Sequence, residues 1–275
     1  MNRTMLTATN TLTQLQKQMD VMGHNIANVE TTGFKRREAT FTDLLVQQFN
    51  NQSDANSEIG RLTPNGIRQG SGAKLGQIQM VLTQGSLKTT NRELDTAFTA
   101  EGQLYRVLVD HPDGSEIQYT RDGAFYLSPL SPNEMMLVTS NGDSVLDENN
   151  NPIYINGQVK EYQITETGSM VIQMDDGQQQ TINLGVTLAN KPQFLEQEGN
   201  NRLSLPEDVG GEDVVTDLDG ALRNQISIQQ GALEQSNVEL SKEMTDLISA
   251  QRSYQFQSRS INLADQMMGL INGIR

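Results

Sequence analysis

Apolar residues recur at alternating three- and four-residue steps near the start of this chain: Leu12, Leu15, Met19, Met22, Ile26 and Val29. At 3.6 residues per turn these steps place all six side chains on one narrow helical stripe, which Met1, Met5 and Ala8 extend backwards in register. The C-terminal segment holds a matching column of Leu240, Leu247, Tyr254, Ile261 and Met268, supplemented by Met244, Ala250, Ala264 and Ile271. Such seams are the pattern of helices that pack against other helices. Threonines at 4, 7, 9, 11 and 13 each weaken the first helix by up to about 0.7 kcal/mol relative to alanine. Both terminal segments are therefore expected to be largely unfolded in a free monomer and helical on association. That pattern points to assembly and away from catalysis.

Between the two ends the period changes. The first helix should stop near Val29, with Gly33 suited to a left-handed cap, and Phe34, Phe41, Leu44, Leu45 and Phe49 carry a rhythm that fits a second short helix. From Asn50 the composition turns polar, which reads as a linker or arm. Beyond Gly66 the pattern alternates, with turn pairs at Asp113-Gly114, Asp122-Gly123, Asn141-Gly142, Asn156-Gly157 and Asp176-Gly177, so residues 75–215 read as β-rich. Helical character returns after Gly220, and Ser236-Asn237-Val238-Glu239 has the form of a capping box opening the long terminal helix.

The fold class expected is α+β: a discontinuous helical coiled-coil domain from residues 1–45 and 232–275, an extended polar arm at 46–65, and a β-rich outer domain at 66–231. Charge follows the same division. The net charge is −14, but residues 93–220 alone hold 23 acids and 5 bases. An acidic body repels nucleic acid, and Lys35-Arg36-Arg37 is too short a basic run to reverse that. The chain contains no cysteine and two histidines, so no cofactor or metal centre is expected. No run approaches the roughly eighteen apolar residues of a membrane span, and no apolar leader opens the chain.

Other motifs have plainer readings. Gly70, Gly72 and Gly76 near Lys74 match neither a phosphate loop nor a dinucleotide fingerprint. Asp147-Glu148-Asn149-Asn150-Asn151 resembles the start of a calcium loop, but Pro152 stands where the sharp turn needs glycine. The acid pairs Asp175-Asp176, Glu207-Asp208 and Glu212-Asp213 could be cast as a glycosidase acid and base, although adjacent loop acids ordinarily just face water. His24 and His111 lack a nucleophile or carboxylate partner in any recognisable motif. The methionines of the two seams, Met19, Met22, Met244 and Met268, suit an adaptable contact surface.

Several blocks together resemble one known family. Asn25-Ile26-Ala27-Asn28-Val29-Glu30-Thr31-Thr32-Gly33-Phe34-Lys35-Arg36 is similar to the N-terminal signature of bacterial flagellar rod and hook proteins. Gln230-Gly231, Leu233-Glu234, Ser236-Asn237-Val238 and Gln251-Arg252-Ser253-Tyr254 resemble its C-terminal signature. Phe41-Thr42-Asp43-Leu44-Leu45, Gly66-Ile67, Thr83-Gln84-Gly85 and Tyr119-Thr120-Arg121-Asp122-Gly123-Ala124-Phe125 resemble further blocks in the same order, so the likeness spans nearly the whole chain. Length and the polar segment after Leu45 are most similar to members that build the distal rod. Gln255-Phe256-Gln257 departs from the usual Glu-x-Asn after the tyrosine.

The resemblance implies a non-enzymatic structural subunit of the flagellar basal body, polymerising into a helical tube that transmits motor torque to hook and filament. It implies contacts with its own copies and with other rod and hook subunits, and delivery by the flagellar type III export apparatus, with no cleaved signal peptide and no membrane insertion. The assembly interface would be Leu12, Leu15, Met19, Met22, Ile26, Val29, Leu240, Met244, Leu247, Tyr254, Ile261 and Met268. The signature residues would be Asn25, Asn28, Gly33, Phe34, Ser236, Asn237, Gln251 and Arg252. A proximal-rod or hook subunit is the alternative within the family. Outside it stands an extracellular carbohydrate-active or carbohydrate-binding β-domain, against which the lack of tryptophan and 5% aromatic content weigh.

Overall fold

A computed structural model describes residues 2–43, 46–49, 67–70, 73–111, 114–175, 177–206 and 214–273. The chain divides into two compact units. The first gathers Met1–Ile26, Arg37–Gln79 and Leu240–Arg275, and the second gathers Ala27–Arg36 and Met80–Glu239.

In the first unit, helix α1 spans Asn2–Ala27 and helix α2 spans Leu240–Gly273. The threonines that weaken α1 in isolation turn their hydroxyls back on it: Thr9, Thr11 and Thr13 donate to the carbonyls of Met5, Thr7 and Thr9. The helix ends two residues before the expected Val29, and Gly33, at φ +67°, lies beyond it in a role other than that of the cap. At the other end the capping box does not form as expected. Ser236 Oγ accepts from Val238 N–H, a tight local turn, and α2 opens only at Leu240.

The short helix expected from Phe34 to Phe49 is replaced by strands Arg37–Asp43 and Val46–Phe49. Apolar spacing alone suggested a helix there, but Thr40, Phe41 and Thr42 prefer extended backbone and a partner strand is at hand. Arg37–Asp43 pairs with Ala73–Met80, and Thr40 Oγ1 both donates to Gln77 O and accepts from Gln77 N. Val46–Phe49 pairs antiparallel with Ile67–Gly70, so the segment expected to open the polar arm is a strand, while residues 50–65 of that arm lie outside the described residues.

The second unit is β-rich. Its central hairpin joins Gln103–His111 to Gly114–Thr120 in register from Tyr105↔Thr120 to His111↔Gly114. Further strands extend this into a ten-stranded sheet, and Val159–Ile164, Ser169–Met174 and Gln179–Asn183 form a separate three-stranded meander. The Asn141-Gly142 turn joins Glu134–Val138 to Ser144–Val145, with Gly142 at φ +91°. Asp122-Gly123 is not the expected hairpin turn. It makes a corner in which Gly123 O accepts from Thr96 N and Asp122 Oδ1 accepts from Ala124 N. The core centres on Phe98, Tyr105, Phe125, Leu137, Ile155 and Ile172, with the Tyr105 ring 4.2 Å from Phe98 and edge-on to Phe125 at 4.9 Å. Tyr105 donates its hydroxyl to Thr96 Oγ1, which satisfies the one polar atom of that ring.

Candidate functional site

Four blocks distant in sequence meet inside the second unit: 28–36, 83–86, 120–123 and 230–237. Their centre is Glu234. Strand Ala232–Glu234 pairs with Leu87–Thr89, and because side chains alternate along a strand, Glu234 shares the inward face with buried Ala232. Its Oε1 accepts from Lys35 Nζ at 2.6 Å and from Gly85 N–H at 2.8 Å, and its Oε2 accepts from Arg121 Nε at 2.6 Å. The side chains of Glu234, Lys35 and Arg121 are 1%, 3% and 2% exposed, so this is a fully buried ion triad.

The other bonds of the two cations go to backbone carbonyls. Lys35 Nζ donates to Thr83 O, and the Arg121 guanidinium donates to the carbonyls of Gln103 and Ala100 while lying over the Phe98 ring. Burial by itself would push the Glu234 carboxyl up, but Arg121, Lys35 and the Gly85 amide outweigh it and hold it below the ordinary carboxylate value. Lys35 is lowered too, which for an ammonium disfavours the charged form. Burial lowers it, the Glu234 bond only partly restores it, and Arg121 repels it. One anion shared by two cations gains from both, whereas each cation gains one partner and faces a like charge.

Backbone contacts draw the same blocks together. Gly33 N donates to Glu234 O at 2.8 Å, Thr32 Oγ1 donates to Asp122 Oδ1, and Asn201 Nδ2 donates to Thr32 O. A Cβ on Gly33 would lie 2.7 Å from the backbone of Arg121 and Asp122, and one on Gly85 would lie 1.9 Å from Gln235 O. These approaches require glycine. Phe34 is buried beside them.

Two asparagines hold the neighbouring backbone. Asn237 Oδ1 accepts from Arg36 N at 2.7 Å while its Nδ2 donates to Val81 O and Thr83 O, and Val81 N donates to Arg36 O. In the first unit, buried Asn25 accepts from Arg37 N and donates to Arg37 O, both at 2.9 Å. Asn28 Oδ1 accepts from Thr31 Oγ1 in the turn after α1. Of the signature residues, Asn25, Asn28, Gly33, Phe34, Ser236 and Asn237 thus serve local geometry, whereas Gln251 and Arg252 lie exposed on α2.

The predicted seam residues occupy intermediate positions. Leu12, Leu15, Met19, Met22, Ile26, Val29, Leu247, Tyr254, Ile261 and Met268 are half-buried, and Leu240 and Met244 are exposed. The sequence reading missed a second apolar face on α2. Phe256, Leu263, Met267 and Leu270 are 66%, 60%, 50% and 70% exposed, spaced by seven, four and three residues. At 100° per residue they fall within roughly 60° of arc, turned away from the heptad column. A heptad count in a second phase would have found them.

Other candidates resolve into local structure. Asp147 Oδ1 accepts the N–H groups of Asn149 and Asn151, so its carboxylate caps its own turn. Among the described residues no three His, Asp or Glu side chains converge as a metal site. Gly70 and Gly76 lie in strands, while Gly72, Asp176, Glu207, Asp208, Glu212 and Asp213 lie outside the described residues. His111 is exposed, and burial and then Arg37 lower the His24 pKa.

Comparison with known proteins adds three family matches in chain order. Residues 5–35 match the model described as "Flagella basal body rod protein", residues 107–172 the "Flagellar hook protein FlgE/F/G D1 domain", and residues 229–274 the "Flagellar basal body rod FlgEFG protein C-terminal". The chain is 44% identical over 279 residues to the flagellar hook-basal body complex protein FlhP of Bacillus subtilis strain 168, covering 100% of each. It is 33% identical to the flagellar basal-body rod protein FlgG of Borreliella burgdorferi, covering 100% of this chain and 99% of that one. Against FlgG of Buchnera aphidicola subsp. Schizaphis graminum the identity is 34% over 92% of each.

Proposed function

This chain belongs to the flagellar basal-body rod and hook protein family, and on that premise we propose that it is a structural rod subunit whose terminal helices build the polymer and whose β-rich body coats it. The observation that carries this is the surface of α2. Eight of its large apolar side chains, from Leu240 to Ile271, lie exposed, far more than a helix of a free-standing soluble protein leaves in water. Other copies and other rod and hook subunits would cover them, and the half-buried seam of α1 with them. Heterologous contacts of this kind do not close on themselves, so they generate an open helical tube.

In this reading the subunit transmits torque and catalyses nothing. It reaches the basal body through the flagellar export apparatus, and its terminal segments complete their helices as neighbours arrive. The division of labour follows the two units: Met1–Ile26, Arg37–Gln79 and Leu240–Arg275 for assembly, and Ala27–Arg36 with Met80–Glu239 as the β-rich body. A deletion strain tests it. Basal bodies isolated from that strain should retain the export apparatus and lack the hook, with motility lost. A complete hook on a motile deletion strain would refute the proposal.

A further inference from the structure

Glu234 joins segments that become available at very different times when the chain emerges from the N-terminus onward. Lys35 and Arg121 come first, and both are buried cations whose shared carboxylate lies 113 residues beyond Arg121 and 199 beyond Lys35. The strands that deliver it are short. Ile228–Gln230 pairs with Thr96–Phe98, and Ala232–Glu234 pairs with Leu87–Thr89. Gln230 adds bonds to Glu93 O, Tyr162 O and Ile164 N, which tie the same stretch to the meander.

We propose that residues 228–237 are a folding latch: the second unit closes around Lys35 and Arg121 only when Glu234 arrives, after nearly all of that unit has emerged. Before that moment the two cations face burial without their anion, which is strongly unfavourable, so residues 28–36 and 120–123 stay open. Asn237 then draws Arg36, Val81 and Thr83 together. Helix α2 begins three residues later, at Leu240. The backbone leading out of α1 and the backbone leading into α2 are thus fixed in one event, and no partly emerged chain has both in place. This rests on the geometry of the second unit and does not depend on the rod reading.

The test is amide hydrogen exchange on the full chain, comparing wild type with Glu234→Ala. Exchange should rise together, by roughly a hundredfold or more, in residues 28–36, 83–86 and 119–123, with the meander Val159–Asn183 little changed. A rise confined to 230–237 would overturn the latch. Should Glu234→Ala fail to fold, Glu234→Gln keeps the shape and removes the charge, and the same three segments should open together. Stalled nascent chains of increasing length give the second measurement. The full folding signal should appear only once residue 237 has left the ribosome and should be reduced in Glu234→Ala, and a full signal from chains ending before residue 228 would refute the proposal.

Discussion

Replacing Gly33 by alanine should destabilise the second unit by two separable effects. The first is conformational, because Gly33 has φ +67° and a residue with a Cβ loses about 1–2 kcal/mol there. The second is steric. The added methyl would sit 2.7 Å from Arg121 C and Asp122 N, backbone atoms that cannot rotate away, and relieving such overpacking costs about 1–3 kcal/mol more. Gly231 supplies the control, since its φ is +72° but nothing lies within 4 Å of its would-be Cβ. Gly231→Ala should therefore cost only the first amount. Five of the six tyrosines, all but Tyr254, belong to the second unit, and the chain has no tryptophan, so near-ultraviolet circular dichroism during urea unfolding follows chiefly that unit. Equal losses for the two variants would refute the close approach of Gly33 to the Arg121-Asp122 corner.

Other expectations follow from the same contacts. Asn237→Ala leaves Arg36 N and the Val81 and Thr83 carbonyls without that side chain, and should cost about 1–3 kcal/mol, with faster exchange at the Arg36 amide. The lowered carboxyl of Glu234 contributes stability that is fully present above its ordinary value of 4.5 and is lost as pH falls through the lower folded value. In acid titration the stability difference between wild type and Glu234→Gln should therefore shrink below pH 4.5, and a difference that stays constant through that range would contradict the assignment. Phe256→Glu changes a side chain that is 66% exposed, so monomer unfolding should shift by no more than about 0.5 kcal/mol while assembly, read by sedimentation, is lost.

Much of this architecture was legible in the residues because the strongest signals are periodic. The heptads at both ends, the Asn141-Gly142 hairpin and the alternating strands of the middle each state their own geometry locally. The failures came where a distant segment decides. Phe34 to Phe49 has helical spacing, yet Ala73–Met80 draws its first part into a strand pair. Asp122-Gly123 has the composition of a hairpin turn, but its backbone is engaged by Gly33 and Thr96 from elsewhere in the chain. The ion triad was invisible for the same reason, since nothing local to Lys35 or Arg121 announces Glu234. Its one trace is an acid two residues after Ala232 on a strand face that is otherwise buried. On α2 the obvious heptad concealed a second phase, because apolar residues on two faces blur each other's periodicity.

If other subunits cover the exposed faces of the terminal helices, the accessibility of a thiol placed on such a face reads that directly. The chain has no cysteine, so Leu263→Cys introduces a single thiol on the second face of α2. In basal bodies isolated from a motile Leu263→Cys strain, alkylating reagents should reach the thiol far more slowly than they do in the dispersed monomer. A motile strain in which Cys-substituted position 263 is alkylated as fast in the basal body as in the dispersed monomer would contradict that coverage.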